Sequence, residues 1–315
     1  MLTLPTTALK GRHFLRVADW KPDELAMTLD LADELKASLA RREPHQLLPG
    51  RSLALIFNKS STRTRVSFEV GICQLGGTGV SLTAADSHLA RGETLKDTAC
   101  VLSRYVDAIV IRTVAQQEVV ELATHASIPV INALTDSSHP CQALADVMTI
   151  RERFGRLEGV RLAYLGDGNN VCASLMVAAA KLGMSFIGAF PDGFEPTEQA
   201  QADAREAAAE SGGSVEIVRS PEQAAGGADV LYTDVWVSMG QEAERDRRLA
   251  ALEAYRIDER ILELAGPKTI VMHCLPAHYG EEISEEIVHG PRSAVWDQTE
   301  NRLHAQKALM ALVIA

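Results

Sequence analysis

Short apolar runs alternate with longer segments of helical periodicity along most of this sequence, and this alternation constrains the fold more than any other feature. In the first part of the chain the apolar runs lie at 53–57, 79–82, 108–111 and 128–131. Helical patterns are predicted at 22–41, 62–75, 94–105 and 116–125. Strands that alternate with helices favour a parallel sheet covered by helices on both faces.

A second series of the same kind follows a predicted helix near 141–154. Its apolar runs lie at 160–165, 185–190, 214–218, 229–233 and 268–272. A chain of 315 residues also suits two domains of about 150 residues each. We therefore predict an α/β fold of two domains, each a parallel β-sheet flanked by helices, with the active-site cleft between them. The first domain is predicted to span 1–145, completed by a closing helix within 299–315, and the second to span 146–298.

The charge, the cysteines and the apolar runs of the sequence indicate which partners, cross-links and compartment to expect. The 42 acidic and 31 basic side chains give a formal net charge of −11, which disfavours nucleic acid and anionic membranes as partners. The five cysteines are an odd number without a CxxC pair, so we expect neither a disulfide framework nor a zinc ribbon. The N-terminus has no secretory pattern, and no apolar run reaches the ~20 residues of a spanning helix. We expect a cytoplasmic protein.

Polar clusters follow six of the predicted strands. They are "NKSSTRTR", Arg112, "DSSHPCQ", "GDGNN", "DVWVSMG" and "HCLP". In open α/β sheets ligands bind outside the carboxyl ends of the strands, so six clusters at such ends predict a binding site.

The segment from Ser60 to Arg65 turns from a strand into a helix, where hydroxyls, free backbone N–H groups and Arg63 can converge on a phosphate. The alternative is that its Ser and Thr residues only cap the helix, with both arginines solvated. It is not a P-loop, because the glycine-rich stretch and the Gly-Lys-Ser/Thr ending are missing.

His139 and Gln142 lie at another predicted strand-to-helix turn, in which Pro140 suits the first helical position. The alternative is a capped helix with a hydrogen-bonded histidine. His139 with Cys141, and His273 with Cys274 and His278, lack the spacing of known zinc sites, so no metal is expected.

The "GDGNN" segment has part of a dinucleotide-binding fingerprint. Gly166 and Gly168 match, but Val171 replaces the third glycine. Asp192 follows near the end of the next predicted strand, which keeps a nicotinamide-dependent dehydrogenase as an alternative.

Taken together, the segments resemble the aspartate/ornithine carbamoyltransferase family in order over nearly the whole chain. "SSTRTRVSFE" is similar to the family's carbamoyl phosphate signature, "HPCQALAD" to its His-Pro-x-Gln element, and "ENRLHAQKA" to its closing helix. "DVWVSMGQEAE" and "MHCLPAHYGEEI" resemble the ornithine branch, since aspartate enzymes carry a His-Pro-Gly-Pro-like sequence in place of His-Cys-Leu-Pro. Asp234 also suits an ammonium group, whereas aspartate would need cations.

The resemblance implies transfer of the carbamoyl group of carbamoyl phosphate to the δ-amine of L-ornithine, giving L-citrulline and phosphate in arginine biosynthesis without a cofactor. It implies catalytic roles for Arg112, His139 and Cys274, the last either as a proton acceptor or as a packing thiol. Carbamoyl phosphate binding is implied for Ser61, Thr62, Arg63, Thr64, His88, Arg112, His139, Pro140, Cys141, Gln142, Cys274, Leu275 and Arg302. Ornithine binding is implied for Asn170, Asp234, Ser238 and Met239.

The family also forms trimers, which implies a homotrimer in which His88 reaches the neighbouring subunit's site. Three alternatives to ornithine transfer stay open: a transcarbamylase for N-acetylornithine or putrescine, a dehydrogenase, and a binding protein without catalysis.

Overall fold

The computed structural model describes residues 4, 7–83, 92–238 and 240–315. The chain divides into two compact units. Unit 1 comprises Met1–Met148 and Asn301–Ala315, and unit 2 comprises Thr149–Glu300. The boundaries predicted at 145 and 298 lie three residues before Met148 and two residues before Glu300. The assignment of one substrate to each domain stays a prediction at this point.

The helices and strands of the described residues alternate as the sequence predicts. The strands are β1 (Ser52–Phe57), β2 (Thr78–Thr83), β3 (Ala108–Arg112), β4 (Val130–Leu134), β5 (Arg161–Leu165), β6 (Ser185–Ala189), β7 (Ser214–Val218), β8 (Val230–Thr233) and β9 (Ile270–His273). The α-helices are α1 (Pro22–Ala40), α2 (Thr62–Gln74), α3 (Leu95–Tyr105), α4 (Gln116–His125), α5 (Pro140–Phe154), α6 (Asn170–Lys181), α7 (Glu198–Ser211), α8 (Pro221–Ala225), α9 (Arg245–Leu252), α10 (Glu259–Ala265), α11 (Glu285–Val288) and α12 (Val295–Ile314). Short 3-10 helices lie at Val17–Asp19, Glu242–Glu244 and Glu253–Tyr255.

Each unit is built on a parallel sheet, as predicted. The strand order is β2-β1-β3-β4 in unit 1 and β7-β6-β5-β8-β9 in unit 2. The central strands are buried, so their apolar side chains form the core of each unit. In unit 1, Phe57 pairs with Arg112, and Arg112 pairs with Leu134. The carboxyl ends of β1, β3 and β4 therefore lie side by side, which brings the polar segments after them together.

Three predicted elements have a boundary that is wrong by two residues or more. One is β9, predicted from 268, which begins at Ile270. The run at 128–131 predicts β4 two residues early, because Pro129 has no N–H to donate and the strand begins at Val130. It then continues through Asn132, whose buried amide donates to the carbonyl of Leu15. The closing helix α12 begins at Val295, whose N–H donates to the Ser293 hydroxyl, and not at Thr299.

Helix starts follow ordinary capping chemistry. The side chains of Ser61, Thr94, Asn169 and Asp258 accept hydrogen bonds from backbone N–H groups at the starts of α2, α3, α6 and α10. Within the described parts of the chain, no helix combines the length and the apolar character needed to cross a membrane.

Candidate active site

A cationic half-site lies at the carboxyl ends of β1, β3 and β4 in unit 1. Ser61 caps α2, and its hydroxyl oxygen accepts from the Thr64 N–H at 3.3 Å. The two hydroxyl oxygens of Ser61 and Thr64 are 3.1 Å apart. The capping alternative is therefore correct for Ser61, and the same geometry leaves a helix N-terminus with its positive dipole end at the site.

Two buried guanidinium groups converge on the Thr64 hydroxyl. Arg112, the last residue of β3, donates to it at 3.3 Å, and Arg302, from α12, donates to it at 3.1 Å. Arg302 also donates to the side-chain oxygen of Gln142 at 2.6 Å. Gln142 in turn donates to Asp146 at 2.8 Å, so its amide is fixed within α5. Four predicted site residues thus form one hydrogen-bonded cluster.

His139 is buried beside this cluster, and the pKa of its imidazole is held well below its ordinary value. Burial is the largest cause, followed by the positive charges of Arg302, Arg112 and Arg63. The imidazole is therefore neutral at physiological pH. Three guanidinium charges around one neutral ring give this half-site a strong preference for an anion.

The remaining predicted residues of unit 1 lie around the cluster. Arg63 is half-buried and Thr62 is exposed in the first turn of α2. Pro140 occupies the first position of α5, as predicted. The Cys141 thiol is buried and donates to the Asn132 carbonyl at 3.3 Å, and burial raises its pKa to about 12. The side chain of Cys141 therefore packs against β4.

An acidic half-site lies at the carboxyl ends of β5, β8 and β9 in unit 2. Asp234 follows β8 and is buried. One carboxylate oxygen accepts from the Asn169 side-chain amide at 2.7 Å, and the other accepts from the Cys274 thiol at 2.9 Å. Two predicted residues, Asp234 and Cys274, are thus in direct contact.

Asn169 is a site residue that the sequence analysis missed. Its side-chain oxygen accepts from the N–H groups of Val171 and Cys172 at 3.0 and 3.1 Å, which caps α6. Its amide nitrogen is thereby directed at Asp234. The N-cap preference for Asn was the available signal. The predicted Asn170 is the first residue of α6 and is half-buried.

The turn after β9 is fixed by a buried histidine and a buried carboxylate. His273 Nδ1 accepts from the Leu275 N–H at 2.8 Å, so the proton is on Nε2, which donates to Glu282 at 3.2 Å. Leu275 has a φ of +58°, a left-handed conformation that a non-glycine residue adopts only when its surroundings enforce it. His273 and Glu282 therefore act as a scaffold for Cys274 and Leu275.

Two groups of described residues each place three potential metal-ligand atoms within 4.8 Å of one another. They are Asp234, His273 and Cys274, and His278, Glu281 and Glu282. Both ring nitrogens of His273 already have hydrogen-bond partners, so metal binding by the first group would break the turn at Leu275. The expectation that no metal is needed stays a prediction.

The backbone of residues 194–196 packs against the Gly166–Gly168 turn. A Cβ at Gly168 would lie 2.2 Å from the Pro196 nitrogen and 2.5 Å from the Glu195 carbonyl carbon. The Gly168 N–H donates to the Phe194 carbonyl at 2.7 Å. The glycine thus accommodates the 194–196 backbone, where a dinucleotide-binding turn would leave room for a pyrophosphate.

Two predicted residues, His88 and Met239, lie outside the described residues. Ser238 is described and half-buried, and its carbonyl accepts from the Gln241 N–H at 3.0 Å in the loop after β8.

Two family models match the chain. The model described as "Aspartate/ornithine carbamoyltransferase, carbamoyl-P binding domain" matches residues 12–152. The model described as "Aspartate/ornithine carbamoyltransferase, Asp/Orn binding domain" matches residues 158–313.

Full-length relatives agree with the family models. An ornithine carbamoyltransferase of Parafrankia sp. is 55% identical over 97% of this chain and 97% of its own length. A Pyrococcus furiosus relative named "Ornithine carbamoyltransferase, anabolic" is 51% identical over 98% of each chain. A solved P. furiosus ornithine carbamoyltransferase superposes with a TM-score of 0.95 at 51% identity, covering 97% of this chain and 98% of that one. The chain therefore belongs to the aspartate/ornithine carbamoyltransferase family.

Proposed function

We propose that this protein is an ornithine carbamoyltransferase, which transfers the carbamoyl group of carbamoyl phosphate to the δ-amine of L-ornithine and releases L-citrulline and phosphate. The observation that carries the proposal is the opposite charge of the two half-sites. Unit 1 presents three guanidinium groups around Thr64 and His139, whereas unit 2 presents the carboxylate of Asp234. An acyl phosphate and a diamino acid require these opposite environments.

Carbamoyl phosphate binding is proposed for unit 1, corresponding to the predicted 1–145 domain with its closing helix at 299–315. The α2 N-terminus and the hydroxyls of Ser61, Thr62 and Thr64 suit the phosphate. Arg63, Arg112 and Arg302 supply the charge that a phosphate dianion needs. The roles of Pro140 and Cys141 are limited to the backbone at the start of α5, because the thiol packs against β4.

Polarisation of the carbamoyl group is proposed for Arg112, His139 and Gln142. Attack by the amine produces a tetrahedral oxyanion, which the Arg112 guanidinium and the neutral His139 N–H stabilise by hydrogen bonds. Gln142 is held by Arg302 at its oxygen and by Asp146 at its nitrogen, so its amide is already oriented before substrate arrives. Phosphate then leaves toward the guanidinium groups.

Ornithine binding is proposed for unit 2, the predicted 146–298 domain, through Asn170, Asp234, Ser238 and Met239. The amine attacks only in its neutral form, and an amine like that of Lys titrates near ~10.4 in water. Cys274 donates to Asp234 in the structure, so the Cys274 thiol has a proton acceptor beside it. We propose that Cys274 and the backbone of Leu275 lie beside the reacting amine and carbamoyl group.

The alternatives are weaker for physical reasons. A dehydrogenase would need open space above the Gly166–Gly168 turn, and the backbone of 194–196 fills it. An aspartate acceptor would place a second carboxylate near the buried Asp234 carboxylate, which is unfavourable without a compensating cation. N-acetylornithine and putrescine each lack a charged group that the unit 2 site is proposed to bind.

The deciding experiment is a citrulline-type colorimetric assay with ornithine, aspartate, N-acetylornithine and putrescine offered separately. We expect kcat/KM for ornithine to exceed that for aspartate by at least ~100-fold, because the wrong acceptor leaves buried charges unpaired. Comparable values for two acceptors would contradict the assignment.

We further propose a cytoplasmic homotrimer that acts in arginine biosynthesis. The name of the anabolic P. furiosus relative supports the biosynthetic direction. The exposed side chains of Val66 and Val70, one turn apart on α2, supply an apolar surface that a second subunit would cover.

The shared site of such a trimer can be tested by mixing two inactive variants. Arg63→Ala and His88→Ala chains are unfolded together in equal amounts and reassembled. If His88 serves the neighbouring site, a functional site needs Arg63 from a His88→Ala chain and His88 from an Arg63→Ala chain. Each has a chance of about one half, so roughly one quarter of wild-type activity is expected. Hybrid trimers that stay inactive would show that each site lies within one chain.

A further inference from the structure

A buried arginine outside the proposed substrate-binding groups connects two loops of the acidic half-site. Arg248 lies on α9 and is 6% exposed. Its Nη2 forms an ion pair with Asp167 at 2.5 Å, and its Nε donates to the Trp236 carbonyl at 2.6 Å. A buried guanidinium that joins a carboxylate and a carbonyl is costly to disrupt, because either partner alone would be left uncompensated.

The two partners of Arg248 belong to the loops that hold Asp234. Asp167 lies in the turn after β5, two residues before Asn169, and Trp236 lies in the loop after β8, two residues after Asp234. Asn169 itself donates to Asp234 at 2.7 Å. Covalent chain and side-chain contacts therefore form a closed circuit through Arg248, Asp167, Asn169, Asp234 and Trp236.

The surroundings leave little freedom for this circuit to move. The Trp236 indole lies 3.0 Å from where a Cβ would stand at Gly166, and the φ of +123° at this position also favours glycine. The Phe194 ring lies against Arg248, with 5.0 Å from the guanidinium carbon to the ring centroid. Burial raises the pKa of Asp167 to about 6, and the charge of Arg248 acts in the opposite direction.

We propose that Arg248 is a positioning residue for ornithine, which sets the place of Asp234 and of Trp236 without touching the substrate. The inference rests on the proposed function of unit 2 as the ornithine half-site. Displacing a binding group by about 1 Å can cost a factor of about 100 in efficiency, so an intact circuit has a direct kinetic consequence.

The test compares four variants with the unmutated protein: Arg248→Gln, Arg248→Lys, Asp167→Asn and Arg247→Gln. Arg247 is the matched control, because it neighbours Arg248 on α9 but its side chain is 71% exposed. We expect Arg248→Gln to raise KM for ornithine about tenfold or more, with KM for carbamoyl phosphate unchanged. Arg248→Lys should give a smaller increase, since a single ammonium cannot replace both contacts, and Arg247→Gln should match wild type.

A purely structural role predicts a different result. It would lower thermal stability and the fraction of active protein but leave KM for ornithine at its wild-type value, and that outcome would overturn the proposal. If Arg248→Gln fails to fold, the same comparison is made with Arg248→Lys. An unchanged KM for ornithine in that variant would also overturn the proposal.

Limited proteolysis separates this inference from the proposed function. Trp236 is 1% exposed, so chymotrypsin should cleave after it slowly in the unmutated protein and faster in Arg248→Gln, whereas Arg247→Gln should be unaffected. Failure of the unmutated protein to carbamoylate ornithine would contradict the proposed function alone. Unchanged cleavage after Trp236 in Arg248→Gln would contradict the positioning role alone.

Discussion

In unit 1 the buried side chains at the carboxyl ends of the strands are cationic or neutral, whereas the equivalent ends in unit 2 present buried carboxylates. Both units are parallel sheets with helices between the strands, so the backbone topology is alike. The difference in charge between the units comes from the segments that follow the strands and from helices distant in sequence. Arg302 reaches Thr64 across 238 residues of sequence, and Arg248 reaches Asp167 from α9.

The two half-sites also differ in how their charge is balanced. In unit 1, Arg63, Arg112 and Arg302 all act on a histidine that is kept neutral, which leaves positive charge for a ligand to neutralise. In unit 2, the carboxylate of Asp234 is held by neutral donors from Asn169 and Cys274. The same architecture thus prepares one site for an anion and the other for a cation.

The largest expected effect concerns the oxyanion donors of unit 1. Arg112→Ala should lower kcat by a factor of about 10² to 10³, because the developing negative charge loses a preorganised donor. Steady-state kinetics at saturating ornithine measures the effect. Arg104→Ala, an exposed arginine on α3, is the matched control and should retain wild-type turnover. Equal losses in the two variants would mean that overall positive charge, and not the site, is responsible.

The next effect tests the acidic half-site. Asp234→Asn keeps the size of the side chain and an acceptor for Asn169 but removes the negative charge. We expect KM for ornithine to rise about 10- to 100-fold, the range for losing one hydrogen bond to a charged group. KM for carbamoyl phosphate should change little. Asp246→Asn, on the exposed face of α9, removes the same charge from unit 2 without altering the site and serves as the control.

Much of this comparison could be predicted from the sequence, since strand ends and helix starts follow local rules. The positions of Arg112 after an apolar run and of Pro140 at a helix start are examples. Long-range contacts could not be derived in this way. Periodicity does not indicate that Arg302 donates to Gln142, 160 residues away, and only the family resemblance suggested its role.

The burial of individual polar residues also could not be predicted from the sequence. The segment "RDRRLAAL" contains three arginines with similar local context, and only the structure distinguishes the buried Arg248 from its exposed neighbours. Cys141 shows the opposite case, because its place in a binding motif suggested a site residue, while its thiol packs against the Asn132 carbonyl. The burial of Arg248 and the packing of the Cys141 thiol both depend on tertiary structure, which sequence patterns do not show.

The third prediction is that acid changes the stability of the two units in opposite directions. The pKa of His139 is well below its ordinary value through burial, and burial followed by nearby positive groups, Lys307 first, lowers that of His304 to about 3. The unfolded chain takes up these protons near its ordinary pKa of about 6.5, so the stability that each residue contributes is lost as pH falls below that value. Asp167 acts in the other direction, because its folded pKa of about 6 lies above its unfolded value.

From about pH 7.5 to about pH 5.5, each of these histidines should cost unit 1 about 1.4 kcal/mol, whereas protonation of Asp167 should stabilise unit 2 by up to about 1 kcal/mol. Hydrogen exchange followed by mass spectrometry reports peptides of both units in one sample. His304→Gln should remove about half of the histidine effect in unit 1 peptides. An equal loss of protection in both units would contradict the assignment of these shifts.

The smallest effect concerns competition by simple anions. Sulfate is a tetrahedral dianion like the phosphate group of carbamoyl phosphate, so it should occupy the guanidinium groups of unit 1. We expect sulfate to raise the apparent KM for carbamoyl phosphate by roughly a few-fold, as a competitive inhibitor, because the α2 N-terminus and the arginines bind both. Against ornithine, sulfate should lower the apparent maximal rate without raising KM, since the Asp234 half-site repels anions. Sodium chloride at the same ionic strength is the control, because general screening acts on both substrates. If sulfate raised KM for ornithine as strongly as KM for carbamoyl phosphate, the two half-sites would not differ in the sign of charge that they accept.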